Sequence, residues 1–472
     1  MTATSAVRVA AQTESSDFSR IGFASFLTTV VSDYQAAGVN PANLGFIPQE
    51  EIYMLSEPLK PGRAVRKRQL AFSIAEGGLA LHSDALNRQG IMDVITQTSS
   101  GSFTDADQIR VARDFADRGL RFSVDMLVAG ISYQDTWGGL AATWRERISG
   151  TFVFNEAASR VAFQGRRFDY FDSLAVNFRG DTVAYAKNPK RFSELFAGTE
   201  LSTVWFREFG LSYGVQVLRL GEVRAHVGAG VKLLQGFAYL DARVQDGQLR
   251  AQSSITPAFG IDYGKATSPS FIPGNAFVPV GDGIGVDVGI TVTSPGFSFA
   301  VSVIDIGAIQ WNGNVFTARD TILNGLTSTG FRSFNFFNEA QGVTGEGNFF
   351  SWDGLASATT ALPTRLRLGT SYRYNSRLTF GADAIFPVNT VAGSLGEPLV
   401  SAGLDWFPVT WLKLGMGLGT GGNMGLFAPA SIMFSLLDNH WEIGVSSRDL
   451  ITFVISDRPI VSAVLGTMRW RF

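Results

Sequence analysis

Ser212 lies in the stretch Gly210-Leu211-Ser212-Tyr213-Gly214, which matches the G-x-S-x-G pattern of serine hydrolases. In those enzymes the serine sits on a strained turn between a strand and a helix, where its hydroxyl acts as a nucleophile. Here the serine lies inside an alternating run of apolar and small or polar residues, which is typical of a strand. We therefore interpret the match as a coincidence.

Two further patterns could do chemistry, a glycine fingerprint and a set of histidines. Gly417, Gly419 and Gly422 have the spacing of a dinucleotide-binding loop, but a second strand follows them, so that no helix N-terminus is available for a pyrophosphate. The three histidines, which lie far apart and outside metal-ligand spacing, are His82, His226 and His440. The sequence predicts no catalytic residue, no metal site and no cofactor, and the chain is not expected to be an enzyme.

The composition indicates one large β structure. The chain of 472 residues contains 52 Gly, 38 Phe and no Cys, and only 17% of its residues are charged. A soluble chain of this length rarely combines so little charge with so many aromatic residues and glycines. The net charge of −2 gives no electrostatic reason to expect a nucleic-acid partner. The absence of cysteine excludes disulfides and cysteine-ligated metals.

Strand-like alternation fills the second half of the chain. Five segments of about ten residues each place apolar residues on one face and charged residues or glycine on the other, which is the signature of an outer-membrane barrel with its polar face turned inward. The apolar face of the first segment includes Leu366 and Leu368, and that of the fourth includes Met416. The charged residues predicted to line the lumen are Arg365, Arg367, Arg373, Asp383, Asp405, Lys413, Glu442, Arg469 and Arg471.

The positions of aromatic residues favour a barrel over a soluble sandwich, in which the charged face would meet solvent. If the C-terminus lies at the periplasmic rim, counting back through the hairpins places six aromatic residues near that same rim, as in the girdle at a membrane interface. They are Tyr372, Tyr374, Trp406, Trp411, Trp441 and Trp470. The fold class is therefore predicted to be all-β, a transmembrane antiparallel barrel of about 14 strands, within a range of fourteen to sixteen that must be even.

The last twelve residues read VSAVLGTMRWRF. A spacing of two places Val464, Gly466 and the aromatic end on one face and Arg469 and Arg471 on the other. Met468, Trp470 and Phe472 are interpreted as the C-terminal barrel signal, read by the outer-membrane assembly machinery.

Several segments are not expected to form barrel wall. Residues 104–119 are predicted to be a helix in which Thr104 and Asp107 form a capping box and Gly119 ends the helix. One apolar face of this helix is predicted to consist of Ile109, Ala112, Phe115 and Ala116. Long loops are expected near residues 77–119, 157–203 and 307–363, within a barrel domain of residues 61–472. Residues 1–60 are expected to hold a signal remnant, with a mature chain beginning near Gln12, followed by a luminal hatch.

The hatch is suggested by the stretch YQAAGVNPANLGF at residues 34–46. An Asn-Pro pair alone indicates a turn. Ahead of a barrel, Asn40, Pro41 and Ala42 resemble the N-terminal hatch motif of the long-chain fatty-acid transporter (FadL-like) family. That resemblance implies a fourteen-stranded barrel in the outer membrane of a Gram-negative bacterium, which an N-terminal segment plugs and through which hydrophobic compounds pass. Three phrases, ALPTRLRLGTSYRY, SVIDIGAIQWNGN and GIGVDVGI, also look like an uncharacterised Bacteroidota outer-membrane family.

Two functions remain open at this point. The first is a hatch-gated channel for small hydrophobic molecules, with membrane lipids and such a ligand as its partners. The second is a non-conducting barrel that serves as a scaffold or cargo carrier for a protein partner, similar to the FadL-like component associated with type IX secretion. Both use the same fold, so that the fold does not choose between them.

The register of one hairpin can also be predicted. Keeping Tyr372 opposite Phe380 on the lipid face requires a three-residue loop at residues 375–377. That register places Gly369 opposite Asp383 and makes Arg367 and Asp383 neighbours in the lumen.

Overall fold

The computed structural model describes residues 20–46, 69–91, 103–178, 180–264, 266–333, 351–422, 425–450 and 460–472. The predicted start of the mature chain near Gln12 lies outside these residues. Each helix in the described residues is too short or too polar to cross a membrane.

The chain forms a closed antiparallel barrel of 14 strands, which confirms the predicted fold class. Neighbouring strands in the chain pair with each other, and the first strand pairs with the last, so that Phe72 lies opposite Trp470 and the sheet has no free edge. The strands are β1 Gln69–Ser83, β2 Arg118–Asp135, β3 Gly138–Phe154, β4 Glu200–Leu220, β5 Val223–Gln245, β6 Gly281–Ser294, β7 Phe297–Trp311, β8 Arg365–Arg373, β9 Leu378–Pro387, β10 Leu399–Val409, β11 Leu412–Gly421, β12 Ala430–Leu436, β13 Trp441–Ser447 and β14 Val461–Arg471.

The two faces of the wall differ as the alternation predicts. Leu368 and Met416 are 38% and 49% exposed on the outside, whereas Arg367 and Asp383 are buried inside. An apolar exterior around a charged interior is the arrangement that a bilayer requires, because lipid cannot satisfy charged groups.

The predicted register of the β8–β9 hairpin is confirmed. Tyr372 pairs with Phe380 and Gly369 with Asp383. Arg367 Nη2 lies 3.5 Å from Asp383 Oδ2, inside the barrel.

The two ends of the barrel are unequal. Short connections at residues 136–137, 221–222, 295–296, 374–377, 410–411 and 437–440 lie at the same rim as Phe472. The described parts of the long connections lie at the other rim. Two of these connections, 84–117 and 312–364, begin later than the sequence predicts, because β1 continues to Ser83 and β7 to Trp311. The others span residues 155–199 and 246–280.

These long connections build a cap above the barrel, rather than the extended loops predicted. It contains α1 Asp105–Phe115, α2 Glu156–Gln164, α3 Phe192–Leu195 and a small sheet of Ser173–Val176, Thr182–Tyr185 and Gly325–Leu326. Phe115, Phe163 and Phe192 are fully buried in its core.

The first cap helix begins as predicted and ends earlier. Thr104 and Asp107 form the capping box, and the hydrogen bonds from Thr104 lower the pKa of the Asp107 carboxyl. The helix ends at Phe115. Gly119 lies in β2, because that strand begins at Arg118. Ile109 is 59% exposed and Gln108 is buried instead, so the predicted apolar face was wrong at that position.

Two predictions about the strands were wrong. In β14 the pairing with β13 shifts between Glu442 and Gly444, so Val464 and Gly466 face inward while Met468 points out. The extra residue of a bulge reverses the parity, and the single face predicted for the whole terminal segment was wrong for Val464 and Gly466. A strand was also predicted at residues 253–263. The observed strand is Gln248–Ile255, which pairs with the upper part of β5 in the place of β6.

Candidate functional site in the barrel lumen

Residues 20–46, here called the luminal segment, lie inside the barrel and follow its inner wall. Ile21 packs at β13 and β14, Thr28 at β8, Asn40 at β6 and Leu44 at β3. Two short 3-10 turns, Asp33–Ala36 and Pro41–Gly45, bend the chain along this path. The second turn begins at Asn40, whose side chain accepts a hydrogen bond from the Ala42 N–H at 3.2 Å, and Pro at the next position fits because its missing N–H needs no partner there.

Inward glycines form a belt that receives the luminal segment. A methyl group on Gly289 would lie 2.0 Å from Asn40 Oδ1, and one on Gly228 would lie 2.3 Å from the carbonyl carbon of Pro41. Any other residue would push the segment away from the wall. The glycines of this belt are Gly130, Gly139, Gly214, Gly228, Gly289, Gly369, Gly381, Gly403, Gly417, Gly444 and Gly466.

Two asparagines fasten the segment to itself and to the wall. Asn40 Nδ2 donates to Thr291 Oγ1 at 2.8 Å and to the Thr28 carbonyl at 3.0 Å. Asn43 accepts from the Thr291 hydroxyl at 2.7 Å and donates to the Val31 carbonyl at 2.8 Å. Ala42 is fully buried between them. An amide fits here because one side chain can donate and accept at once.

Asp383 of β9 anchors the middle of the luminal segment. Its Oδ2 accepts from the N–H of Leu27 at 2.8 Å, the N–H of Thr28 at 3.0 Å and the Thr28 hydroxyl at 2.8 Å. Arg367 Nε donates to the same hydroxyl at 3.2 Å. One buried carboxylate thus satisfies two backbone donors that would otherwise be unpaired.

A second anchor joins the segment to the last strand. Asp33 Oδ2 lies 2.7 Å from Arg469 Nη2 and 3.0 Å from Arg471 Nη2. Arg469 Nε also lies 3.0 Å from Glu442 Oε2. Asp33 has a φ of 53°, which residues other than glycine rarely adopt. The segment therefore holds the Asp33 carboxylate in place with a strained backbone conformation. The Tyr34 hydroxyl donates a further hydrogen bond to Glu76 of β1.

The luminal segment also has a small apolar core of its own. Leu27, Val31, Val39 and Leu44 pack with Tyr34 and with small residues of β1 and β3. Polar anchors and apolar packing therefore both hold the segment.

A layer of buried charge crosses the lumen beside the luminal segment. Asp305 lies 3.0 Å from Arg147 Nη2, 2.5 Å from Lys232 Nζ and 3.5 Å from Arg365 Nη2. Lys232 Nζ also lies 2.8 Å from Asp287 Oδ1. Asp305 sits at a bulge in β7 with a φ of 60°, which turns its side chain towards these partners.

The predicted lumen-lining residues are placed as follows. Arg365, Arg367, Asp383, Asp405, Lys413, Glu442 and Arg469 are buried inside, while Arg373 and Arg471 are half-buried. Sequence reasoning missed seven buried charges of β3 to β7, although most of them occupy the inward positions of alternating strands: Arg145, Glu146, Arg147, Glu208, Lys232, Asp287 and Asp305. It also missed Asp33 and Glu76.

The six predicted girdle residues lie near the rim with the short turns. Trp441 and Trp470 stack with their ring centroids 5.9 Å apart, and Tyr372, Tyr374, Trp406 and Trp411 are exposed on the outside. The same rim carries Trp137 and Tyr213, whose rings stack at 6.1 Å and which the sequence reasoning left out.

A cavity of about 190 Å³ lies above the charged layer. Phe206, Tyr239, Ile309 and Leu362 line it, and the Arg147 guanidinium lies 5.1 Å from the Phe206 ring centroid, so the cavity and the charged layer are adjacent. The β9–β10 connection at residues 390–392 closes its far side.

The model of one family, described as a family of unknown function (DUF5723), matches residues 81–427. The chain belongs to that family. No curated protein matches the chain.

Several solved structures resemble it at low identity. The toluene transporter TodX of Pseudomonas putida is 11% identical, with a TM-score of 0.39 and coverage of 94% of this chain and 95% of that chain. The Ralstonia pickettii toluene transporter TbuX is 10% identical, with a TM-score of 0.37 and coverage of 93% and 94%. A Pseudomonas aeruginosa FadL homologue is 10% identical, with a TM-score of 0.38 and coverage of 95% and 93%. At this level of likeness, function has to be inferred from the chain's own residues.

Proposed function

We propose that the chain is a channel in the outer membrane of a Gram-negative bacterium, that it transports small hydrophobic molecules, and that the luminal segment is its hatch. The proposal rests on the order in which the cavity and the luminal segment lie along the barrel axis. A cavity lined by both apolar and polar residues lies above, and a separate segment of chain, held by a few identifiable anchors, lies below. A ligand that enters the cavity has a route to the other rim only if the hatch rearranges.

In this proposal Asn40, Pro41 and Ala42 form the part of the hatch that docks against the glycine belt. Asp383 and Asp33 are its anchors, and the buried arginines of β8 and β14 hold those carboxylates. Lipid surrounds the apolar outer wall, the rim aromatics lie at the membrane interface, and Met468, Trp470 and Phe472 are the residues that the assembly machinery reads.

Deleting Met1 to Phe46 tests the hatch. The deletion should leave a folded barrel, because the strand pairing from β1 to β14 does not include these residues. We expect permeability to small solutes to rise from near zero, as measured by swelling of liposomes that contain the purified barrel. Gly77→Ala in the full chain is the control, since nothing lies within 4 Å of the added methyl group. A truncated barrel that folds and stays closed would contradict the proposal.

One observation favours the second candidate, a scaffold. The cap strand Ser173–Val176 lies at the edge of its small sheet, with Leu174 65% exposed and Val176 69% exposed. An apolar edge strand is a site where another protein can dock. If the chain is a scaffold, a stoichiometric partner should co-purify with it and be lost in the variant Leu174→Ser/Val176→Ser, while the deletion of the hatch leaves that partner bound.

A further inference from the structure

We propose that the 190 Å³ cavity above the charged layer binds a small neutral amphiphile, about one ring in size, that carries one hydrogen-bond donor, and that it rejects carboxylates. This inference rests on the proposed transport function and names the class of its substrate. Volume, lining and local charge support it independently.

The volume limits the ligand to about one ring. An engineered apolar cavity of about 150 Å³ holds benzene. A cavity of about 190 Å³ therefore accommodates a benzene ring with one short substituent, but not an extended long acyl chain. The rings of Phe206 and Tyr239 supply flat apolar walls, and Tyr239 is fixed by stacking on Trp311 with ring centroids 5.3 Å apart.

The polar end of the cavity contains one carboxylate and the hydroxyl of Thr360. Asp241 is the charged side chain in its lining, and its Oδ1 accepts from Arg243 Nε at 2.7 Å. Arg243 also lies 3.4 Å from Glu200 Oε1, so its positive charge is shared between two carboxylates. Thr360 Oγ1 in the lining accepts from Trp311 Nε1 at 2.9 Å.

This arrangement favours a hydroxyl over a carboxylate. A ligand hydroxyl can donate to Asp241, whose carboxylate has lone pairs beyond those that Arg243 and Tyr239 use. A ligand carboxylate offers no donor and would lie beside Asp241, where like charges in a partly buried site repel each other strongly. Since the lining contains no residue of the hatch, this selectivity does not depend on the hatch.

Three probes of similar size separate these requirements: benzyl alcohol, ethylbenzene, in which a methyl group replaces the hydroxyl, and benzoate. We expect the full-length protein in lipid nanodiscs to bind benzyl alcohol about tenfold more tightly than benzoate and several-fold more tightly than ethylbenzene, since a site built to accept a hydrogen bond rejects ligands that lack the donor. Equilibrium dialysis against empty nanodiscs corrects for partition into lipid.

Two variants localise the binding. Asp241→Asn should bring the affinities for benzyl alcohol and benzoate close together, and Phe206→Trp should lower the affinity for all three probes by filling the cavity. Leu362→Trp gives a second cavity-filling variant if Phe206→Trp does not fold, as judged by the heat-dependent gel mobility of the barrel.

Equal binding of benzyl alcohol and benzoate by the native chain, or an unchanged ratio of the two affinities in Asp241→Asn, would overturn the proposal. The hatch deletion and the binding measurements are independent experiments. If the deletion does not open the barrel, the hatch proposal fails, but the binding results still test the selectivity of the cavity.

Discussion

The lower and upper halves of the lumen are built in opposite ways. Below, inward glycines such as Gly214 and Gly228 let the luminal segment approach the wall until backbone meets backbone, and Gly289 leaves room for the Asn40 side chain. Above, the inward positions of the same wall carry Phe206, Tyr239 and Ile309, whose side chains do not fill the space and leave the cavity. Residue size at inward positions therefore decides which part of the barrel is sealed and which part can hold a ligand.

The largest effect is expected at the anchor of the lower half. Asp383→Ala removes the acceptor of two backbone N–H groups and leaves the buried Arg367 without this carboxylate. Breaking a buried charged pair in this way costs about 3–5 kcal/mol, which urea unfolding of the barrel in lipid vesicles would measure. Asp353→Ala, which removes an exposed pair with Arg319, should have no measurable effect. Equal losses in the two variants would show that Asp383 is not an anchor.

A smaller effect is expected from the glycine belt. Gly289→Ala places a methyl group against Asn40 Oδ1, and overpacking of this kind costs about 1–3 kcal/mol. The same unfolding assay measures the cost, and Gly77→Ala is the matched control in another barrel strand. If both variants unfold at the same urea concentration, the luminal segment is not tightly packed against the wall at Gly289.

The smallest effect is expected in the upper half. Ile309→Val removes one methylene from the cavity lining, and a change of this type costs about 0.5–1.5 kcal/mol. We expect the low end of that range, because the removed group already borders empty space. A loss as large as that of Gly289→Ala would contradict the difference between the two halves.

The sequence predicts the regular parts of this molecule well. Alternation fixes the strands and their inward and outward faces, and the need to keep Tyr372 beside Phe380 fixes a register that the structure confirms. Prediction fails where a bulge adds a residue. The side-chain directions at Asp305 and around Met468 depend on such bulges. The alternation of apolar and polar residues in the sequence does not show where an extra residue is inserted.

The luminal segment shows a different limit. The Asn40-Pro41-Ala42 motif predicts a segment inside the barrel, but its path depends on contacts between residues that lie hundreds of positions apart, such as Thr28 with Asp383. The glycines that receive it are visible in the sequence, but only the strand pairing shows that several of them are neighbours, as Gly228 is of Gly214 and Gly289.

Locking the hatch tests the central claim most directly. The chain has no cysteine, so the pair Thr28→Cys/Gly369→Cys would form a unique disulfide. A Cβ on residue 369 would lie 2.7 Å from Thr28 Cβ, and a shift of about 1 Å gives disulfide geometry. In porin-deficient Gram-negative cells that make this variant, we expect uptake of radiolabelled benzyl alcohol to fall on oxidation to the level of cells without the protein and to recover on reduction. The uptake by each single-cysteine variant should be the same before and after oxidation, whatever its level. Uptake that continues at the native rate through the oxidised, locked barrel would contradict the account.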